Sequence, residues 1–142
     1  MKRLLSFLTA LATLIAALGI LAPSAHAGDK DPLVVNLTTD EPHRASMALA
    51  FGGNQHGRGH PLTVFLNDRG VHLAAKSQAG KFGAQQKSLA ELMAKGATVL
   101  ACAMCMKHYG VAQADLMAGV KIGNSELTGG ALFADGAKSL TW

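Results

Sequence analysis

Cys102 and Cys105 are the only 2 cysteines in a chain of 142 residues. They stand as Cys102-Ala103-Met104-Cys105, directly behind the apolar run Ala97-Thr98-Val99-Leu100-Ala101. A bond between cysteines this close in sequence closes too short a loop to restrict the unfolded chain much, so stabilisation is a weak reason for the pair. Reactivity or ligation is the stronger reason. A thiol reacts as its thiolate, and backbone amides at a strand-to-helix turn, with the positive end of the helix dipole, favour that anion. Cys102 sits at such a turn and is the expected nucleophile. Cys105, one turn on, is placed to trap a bound sulfur, to form a disulfide with Cys102, or simply to pack inside. His108 adds an imidazole whose ordinary titration range suits it to work beside a thiol. Lys107 and Tyr109 read first as surface and packing residues.

The elements that must hold this pair follow from the hydrophobic pattern. Leu33–Leu37, Leu62–Leu66 and Ala97–Ala101 are short apolar or β-branched runs suited to strands buried on both faces. Between them, Ala45, Ala48, Leu49 and Gly52 recur at helical spacing, which predicts a helix over Pro42–His56 with Asp40 or Glu41 as its cap. Gly52-Gly53 permits close packing or an early end to that helix. Leu89, Leu92 and Met93 mark a second helix, closed at Lys95-Gly96. The stretch Val71–Gly83 reads as loop with a short extended piece at Val71-His72-Leu73. Helices are expected over Met104–Tyr109, Ala112–Ala118 and Glu126–Ala134, with strands at Val120–Ile122 and Lys138–Thr141. Strands alternating with helices indicate an α/β domain with a mainly parallel sheet of about five strands. Ligand sites in such sheets gather at the carboxyl ends of strands, where the cysteine pair and the Thr38-Thr39-Asp40 loop both fall.

The first 27 residues read as a secretory signal peptide. Lys2 and Arg3 precede the apolar stretch Leu4–Ala22, Pro23-Ser24 breaks it, and Ala25-His26-Ala27 supplies a small-x-small cleavage pattern. The mature domain then spans residues 28–142 and works in the periplasm or outside the cell, with no membrane contact after cleavage. The whole chain has 13 basic and 9 acidic side chains, two of the basic ones in the leader. What remains is too weak a field to indicate nucleic acid, and no Lys/Arg cluster supports one.

The residues Leu33–Leu37, the segment Ala97–Val111 and the ending Glu126-Leu127-Thr128-Gly129-Gly130-Ala131-Leu132-Phe133 together resemble the DsrE/DsrF-like sulfur-relay family. The most specific part is a cysteine followed eight residues later by Gly-Val, matched here by Cys102 and Gly110-Val111. The resemblance covers essentially Leu33–Trp142. It implies a three-layer α/β/α fold, assembly as a trimer or hexamer, and carriage of sulfane sulfur as a persulfide on the position matched by Cys102. No cofactor and no resident metal are expected. Partners would be sulfur donor and acceptor proteins or small sulfane-sulfur compounds. Cys105 occurs in only some branches of that family, and the export signal departs from its cytoplasmic members.

Other chemistries compete for the same segment. Cys102, Met104, Cys105, Met106 and His108 are soft ligands packed closely, a composition suited to Cu(I) or to an interaction module. A structural disulfide fits an oxidising compartment. A thioredoxin-like oxidoreductase also uses C-x-x-C, but no proline follows Pro61 to stand opposite the motif. His43 falls in the first turn of a helix, His72 shows no partner in the sequence, and His56 and His60 flank the Gly57-Arg58-Gly59 turn, where they could meet but read first as solvated loop residues. Asp40 reads as a helix cap rather than a catalytic acid.

Overall fold

A computed structural model describes Gly28 and residues 30–142; the leader lies outside the described residues. The elements run β1 (Leu33–Leu37), α1 (Pro42–Gly57), β2 (Leu62–Leu66), 3₁₀ turns over Asp68–Ala74 and Lys76–Gln78, and α2 (Ala79–Ala94). β3 (Thr98–Cys102), α3 (Ala103–Tyr109), a 3₁₀ turn at Gln113–Asp115, β4 (Lys121–Gly123), α4 (Ser125–Leu132) and β5 (Lys138–Thr141) follow. All five strands are parallel, in the order β4-β3-β2-β1-β5. Among the described residues no helix is long and apolar enough to cross a membrane.

Alternation along the strands divides the sheet into two faces. Leu33, Val35 and Leu37 of β1 join Leu62, Val64, Leu66, Val99 and Ala101 in one core with Ala45, Ala48 and Leu49 of α1 and Phe82, Leu89 and Leu92 of α2. Gly52 lets α1 approach closely, since a Cβ there would stand 3.3 Å from Leu62 and Val35 methyl groups. The helix therefore runs on through Gly52-Gly53. On the opposite face Val34, Thr63, Phe65 and Leu100 meet Thr128, Ala131 and Leu132 of α4. This completes the expected α/β/α layering, but the second helical layer is thin: no residue of α4 is buried.

Four local expectations change. Val71–Leu73 is not extended but part of the 3₁₀ turn, because Asn67 caps it through Asp68 N–H and Gly70 N–H bonds back to the Asn67 carbonyl at 2.9 Å. α2 starts ten residues before Leu89; Phe82 departs from helical geometry there yet is buried. The helix expected over Ala112–Ala118 is only a 3₁₀ turn, because Leu116 bridges to Ala75 and Met117 N–H bonds to the Ala74 carbonyl at 2.9 Å. Finally, Glu41, not Asp40, caps α1, accepting from His43 N–H at 3.0 Å and Arg44 N–H at 2.7 Å.

The end of β1 sets where the loop after β2 lies. Asn67 N–H donates to the Leu37 carbonyl at 2.9 Å, and the buried Gly70 packs so near that a Cβ would collide with the same oxygen. Backbone cannot yield as a flexible side chain can. Gly70→Ala is expected to cost about 1–3 kcal/mol or more, the scale of overpacking a tight interior. A wild-type denaturation midpoint in that variant would refute the close approach.

Candidate functional site

Cys102 ends β3 and, in extended conformation, is the N-cap of α3. Its Sγ accepts the Cys105 N–H at 3.2 Å, taking one of the amides a helix start leaves unpaired. Gly110, at φ 71°, closes the same short helix in a left-handed conformation that glycine adopts without steric penalty. Cys102 and Cys105 are joined as a disulfide, their Cα atoms 5.2 Å apart. Their surroundings differ. Cys102 is 7% exposed, whereas Cys105 is half-buried and lines an open cavity of about 290 Å³ with Asp68, Met104, His108 and Tyr109. Cys105 thus faces the opening and Cys102 lies behind it, at the helix start expected for it.

The loop after β2 forms the opposite wall. Asn67 Oδ1 stands 3.0 Å from Cys105 Sγ and accepts Asp68 N–H at 2.9 Å. Asp68 takes φ 46°, a left-handed conformation that aspartate tolerates better than most residues. Its carboxylate accepts a hydrogen bond from the Tyr109 hydroxyl, which pushes the phenol's pKa up. The His72 and His108 rings both stand edge-on to Tyr109, at 5.2 and 4.7 Å between centroids. Sequence reading singled out His108 and treated Tyr109 as packing; the structure puts both on the cavity wall. It missed Asn67 and Asp68 as site residues, for which the only signal was the turn Asn67-Asp68-Arg69-Gly70.

Asp40 anchors this loop from the end of β1. Arg69 Nε and a terminal nitrogen reach its two oxygens at 2.9 and 3.3 Å, and Lys81 Nζ lies 3.6 Å away. Burial pushes the Asp40 carboxyl up, but the Arg69 hydrogen bond and charge, with Lys81 and His72, outweigh it and hold the carboxyl below its usual range. The rest of the Thr38-Thr39-Asp40 loop is occupied elsewhere: Thr38 Oγ1 bonds the Trp142 carbonyl and Thr39 Oγ1 accepts Glu41 N–H. None of these three residues lines the cysteine cavity.

The other histidines act as clips. His56 Nδ1 stands 2.9 Å from the His60 carbonyl and its Nε2 3.0 Å from the Lys95 carbonyl, and His60 Nδ1 stands 2.8 Å from the Asp31 carbonyl, so neither is a free turn residue. A larger cavity of about 430 Å³ lies at the amino ends of β1 and β5, with Leu33, Phe51, His60 and Lys138 in its lining. It contains no sulfur, so size is a poor guide to the chemistry here. Among the described residues no group of three or more His, Cys, Asp or Glu side chains is arranged to hold a metal ion.

A family model described as the DsrE/DsrF-like family matches residues 34–135. No curated protein matches the chain. Among solved structures, the YchN protein from E. coli is 24% identical, with a TM-score of 0.66 over 80% of this chain and 99% of its own. A protein of unknown function from Methanobacterium thermoautotrophicum, MTH1491, is 17% identical, with a TM-score of 0.64 over 80% of this chain and 100% of its own. A conserved protein of unknown function from Bacteroides thetaiotaomicron, BT1422, is 22% identical, with a TM-score of 0.61 over 79% and 95%. At these identities the likeness is one of fold.

The Asp40 ion pair makes an acid-side prediction. A carboxyl held below its unfolded value adds stability that is present above the unfolded pKa, about 3.9, and disappears as pH falls through the lower folded value. Asp40→Asn is expected to lower the urea midpoint at pH 7 and to lose less further stability than wild type below about pH 4. Parallel pH profiles for the two proteins would show that Asp40 gains nothing from Arg69.

Proposed function

The chain belongs to the DsrE/DsrF-like family, and on that premise we propose that it carries sulfane sulfur as a persulfide on Cys102. Membership points to a role of the sulfur-relay type. The observation that supports it most is the Cys105 N–H aimed at Cys102 Sγ from 3.2 Å, because a donor to sulfur favours the anion that attacks.

The disulfide form offers no thiolate, so an external dithiol must first reduce it. The Cys102 thiolate then attacks the outer sulfur of a donor R–S–S⁻ or R–S–SH, the S–S bond of the donor breaks, and R–S⁻ leaves. An acceptor thiolate attacking the outer sulfur of the Cys102 persulfide removes it and restores the Cys102 thiolate. Sulfur is carried rather than chemically transformed, and no resident cofactor is used. Donor and acceptor reach the site through the cavity beside Met104, which is 81% exposed at its lip. The same cavity brings Met104, Cys105 and His108 together, but the family match does not favour the Cu(I) alternative.

Intact mass after reduction and incubation with a sulfane donor tests the reading. Wild type and Cys105→Ser are expected to gain one sulfur atom, and Cys102→Ser none. Equal gain in Cys102→Ser would move the carrier to Cys105, and no gain in any of the three would remove the function.

We also propose that the mature protein is exported and assembles with copies of itself as a trimer or hexamer. The thin helical layer supports assembly: Leu127, Leu132 and Phe133 are all exposed on or just after α4, Phe133 by 87%. Such side chains together are an unfavourable surface for a lone protomer. Material recovered from the exported fraction is expected to begin at Gly28 by N-terminal sequencing and to scatter light as a trimer or hexamer, with Phe133→Glu shifting the mass towards the monomer. A retained leader would refute cleavage, absence of the protein from that fraction would refute export, and a monomeric wild type would refute assembly.

A further inference from the structure

The two sulfurs of the pair meet opposite kinds of partner. Cys102 Sγ receives a backbone N–H, whereas Cys105 Sγ faces the side-chain oxygen of Asn67 at 3.0 Å. The identity of that atom does not depend on how the amide is turned by convention. It must accept Asp68 N–H at 2.9 Å, which only the oxygen of the amide can do. A disulfide sulfur has no proton, so the contact becomes a hydrogen bond only on reduction, with the Cys105 S–H donating. An acceptor of this kind stabilises the neutral thiol and disfavours the thiolate.

We propose that Asn67 is a positioning residue that keeps Cys105 protonated in the reduced protein and thereby keeps carried sulfur on Cys102. The functional half of this inference rests on the persulfide reading above. The reaction it restrains is internal discharge. Cys105 attacks Cys102 Sγ, the S–S bond of the persulfide breaks, and the Cys102–Cys105 disulfide forms. The outer sulfur leaves with the bonding pair as hydrosulfide and takes the Cys105 proton, departing as hydrogen sulfide. No further oxidant is needed, so only the poor nucleophilicity of the thiol protects the cargo.

Other charged and titratable groups around Cys105 come from the two elements packed together there. The 3₁₀ turn contributes Asp68, Arg69 and His72, and α3 contributes Lys107, His108 and Tyr109. β3 contributes none. Asp68 lines the same cavity and also opposes a thiolate, while Arg69 is drawn to Asp40. All of these are retained when only Asn67 is changed.

The test has two arms. In reduced Cys102→Ser protein, the pH dependence of Cys105 alkylation by iodoacetamide, read by mass, is expected to have its midpoint above the ordinary cysteine value of about 8.5. Adding Asn67→Ser keeps an oxygen for the Asp68 cap but withdraws the amide oxygen from the sulfur. It is expected to lower that midpoint by about one unit, making alkylation near neutrality about tenfold faster. Asn67→Asp keeps the acceptor and is expected to leave the midpoint high. In the second arm, protein with both cysteines is loaded with sulfur, and hydrogen sulfide release is expected to be about tenfold faster in Asn67→Ser than in wild type or Asn67→Asp. A Cys105 midpoint at or below 8.5 in the Cys102→Ser protein overturns the proposal even if the Asn67 variants do not fold. So does an Asn67→Ser midpoint equal to that of its parent. If no sulfur loads at all while the first arm behaves as expected, the carrier function fails and the protonation role of Asn67 stands.

Discussion

The carbonyl oxygen of Leu37 is the point on which the site depends. It closes β1, accepts Asn67 N–H, and leaves no room for a side chain at position 70. That pins the beginning of the 3₁₀ turn against the end of the neighbouring strand. From there Asn67 reaches Cys105 and Asp68 reaches Tyr109, so the loop after β2 and the helix after β3 become two walls of one cavity. The Asp40–Arg69 pair fastens the same loop a second time from β1. Arg69 is well exposed, so this second tie is screened by salt and adds less than the backbone bond.

A parallel sheet makes such convergence natural. Every strand ends at the same edge, so residues far apart in sequence arrive together. The order β4-β3-β2-β1-β5 sets β1, β2 and β3 side by side, and the three loops that follow them supply Asp40, the Asn67-Asp68 turn and the cysteine helix. The sulfur pair is thus the product of three strand ends, although only one of them carries sulfur. DsrE/DsrF-like membership names the family of this arrangement, while the fold explains why its parts lie where they do.

The strands were readable because their signals are local. Leu33–Leu37, Leu62–Leu66 and Lys138–Thr141 coincide with the structure, and β3 moves by one residue, so that Cys102 belongs to the strand as well as capping the helix. The start of α2 was hidden because Gly80 and Gly83 suggest loop, whereas burial of Phe82 and of Gln85 decides the matter. Gln85 Nε2 reaches the Pro42 carbonyl and Ser46 Oγ, partners no local pattern reveals. The same holds for Asp40, a plausible cap until Arg69 arrives from 29 residues away, leaving Glu41 to bond the first amides of α1. In the site, the motif around Cys102 and Cys105 was visible, and Asn67 was not. Its contact with Cys105 spans 38 residues and exists only once the sheet has formed.

The tight spacing of the sulfur pair has a consequence for how its state is communicated. Both cysteines belong to a single short turn between the β3 ladder and the left-handed residue Gly110, with Cα atoms already at an ordinary disulfide separation. Making or breaking the bond therefore asks almost nothing of the main chain. A protein built this way has no main-chain lever with which to broadcast the state of its sulfur pair. That state can be read only by touch, at the patch where Met104 and Cys105 meet solvent.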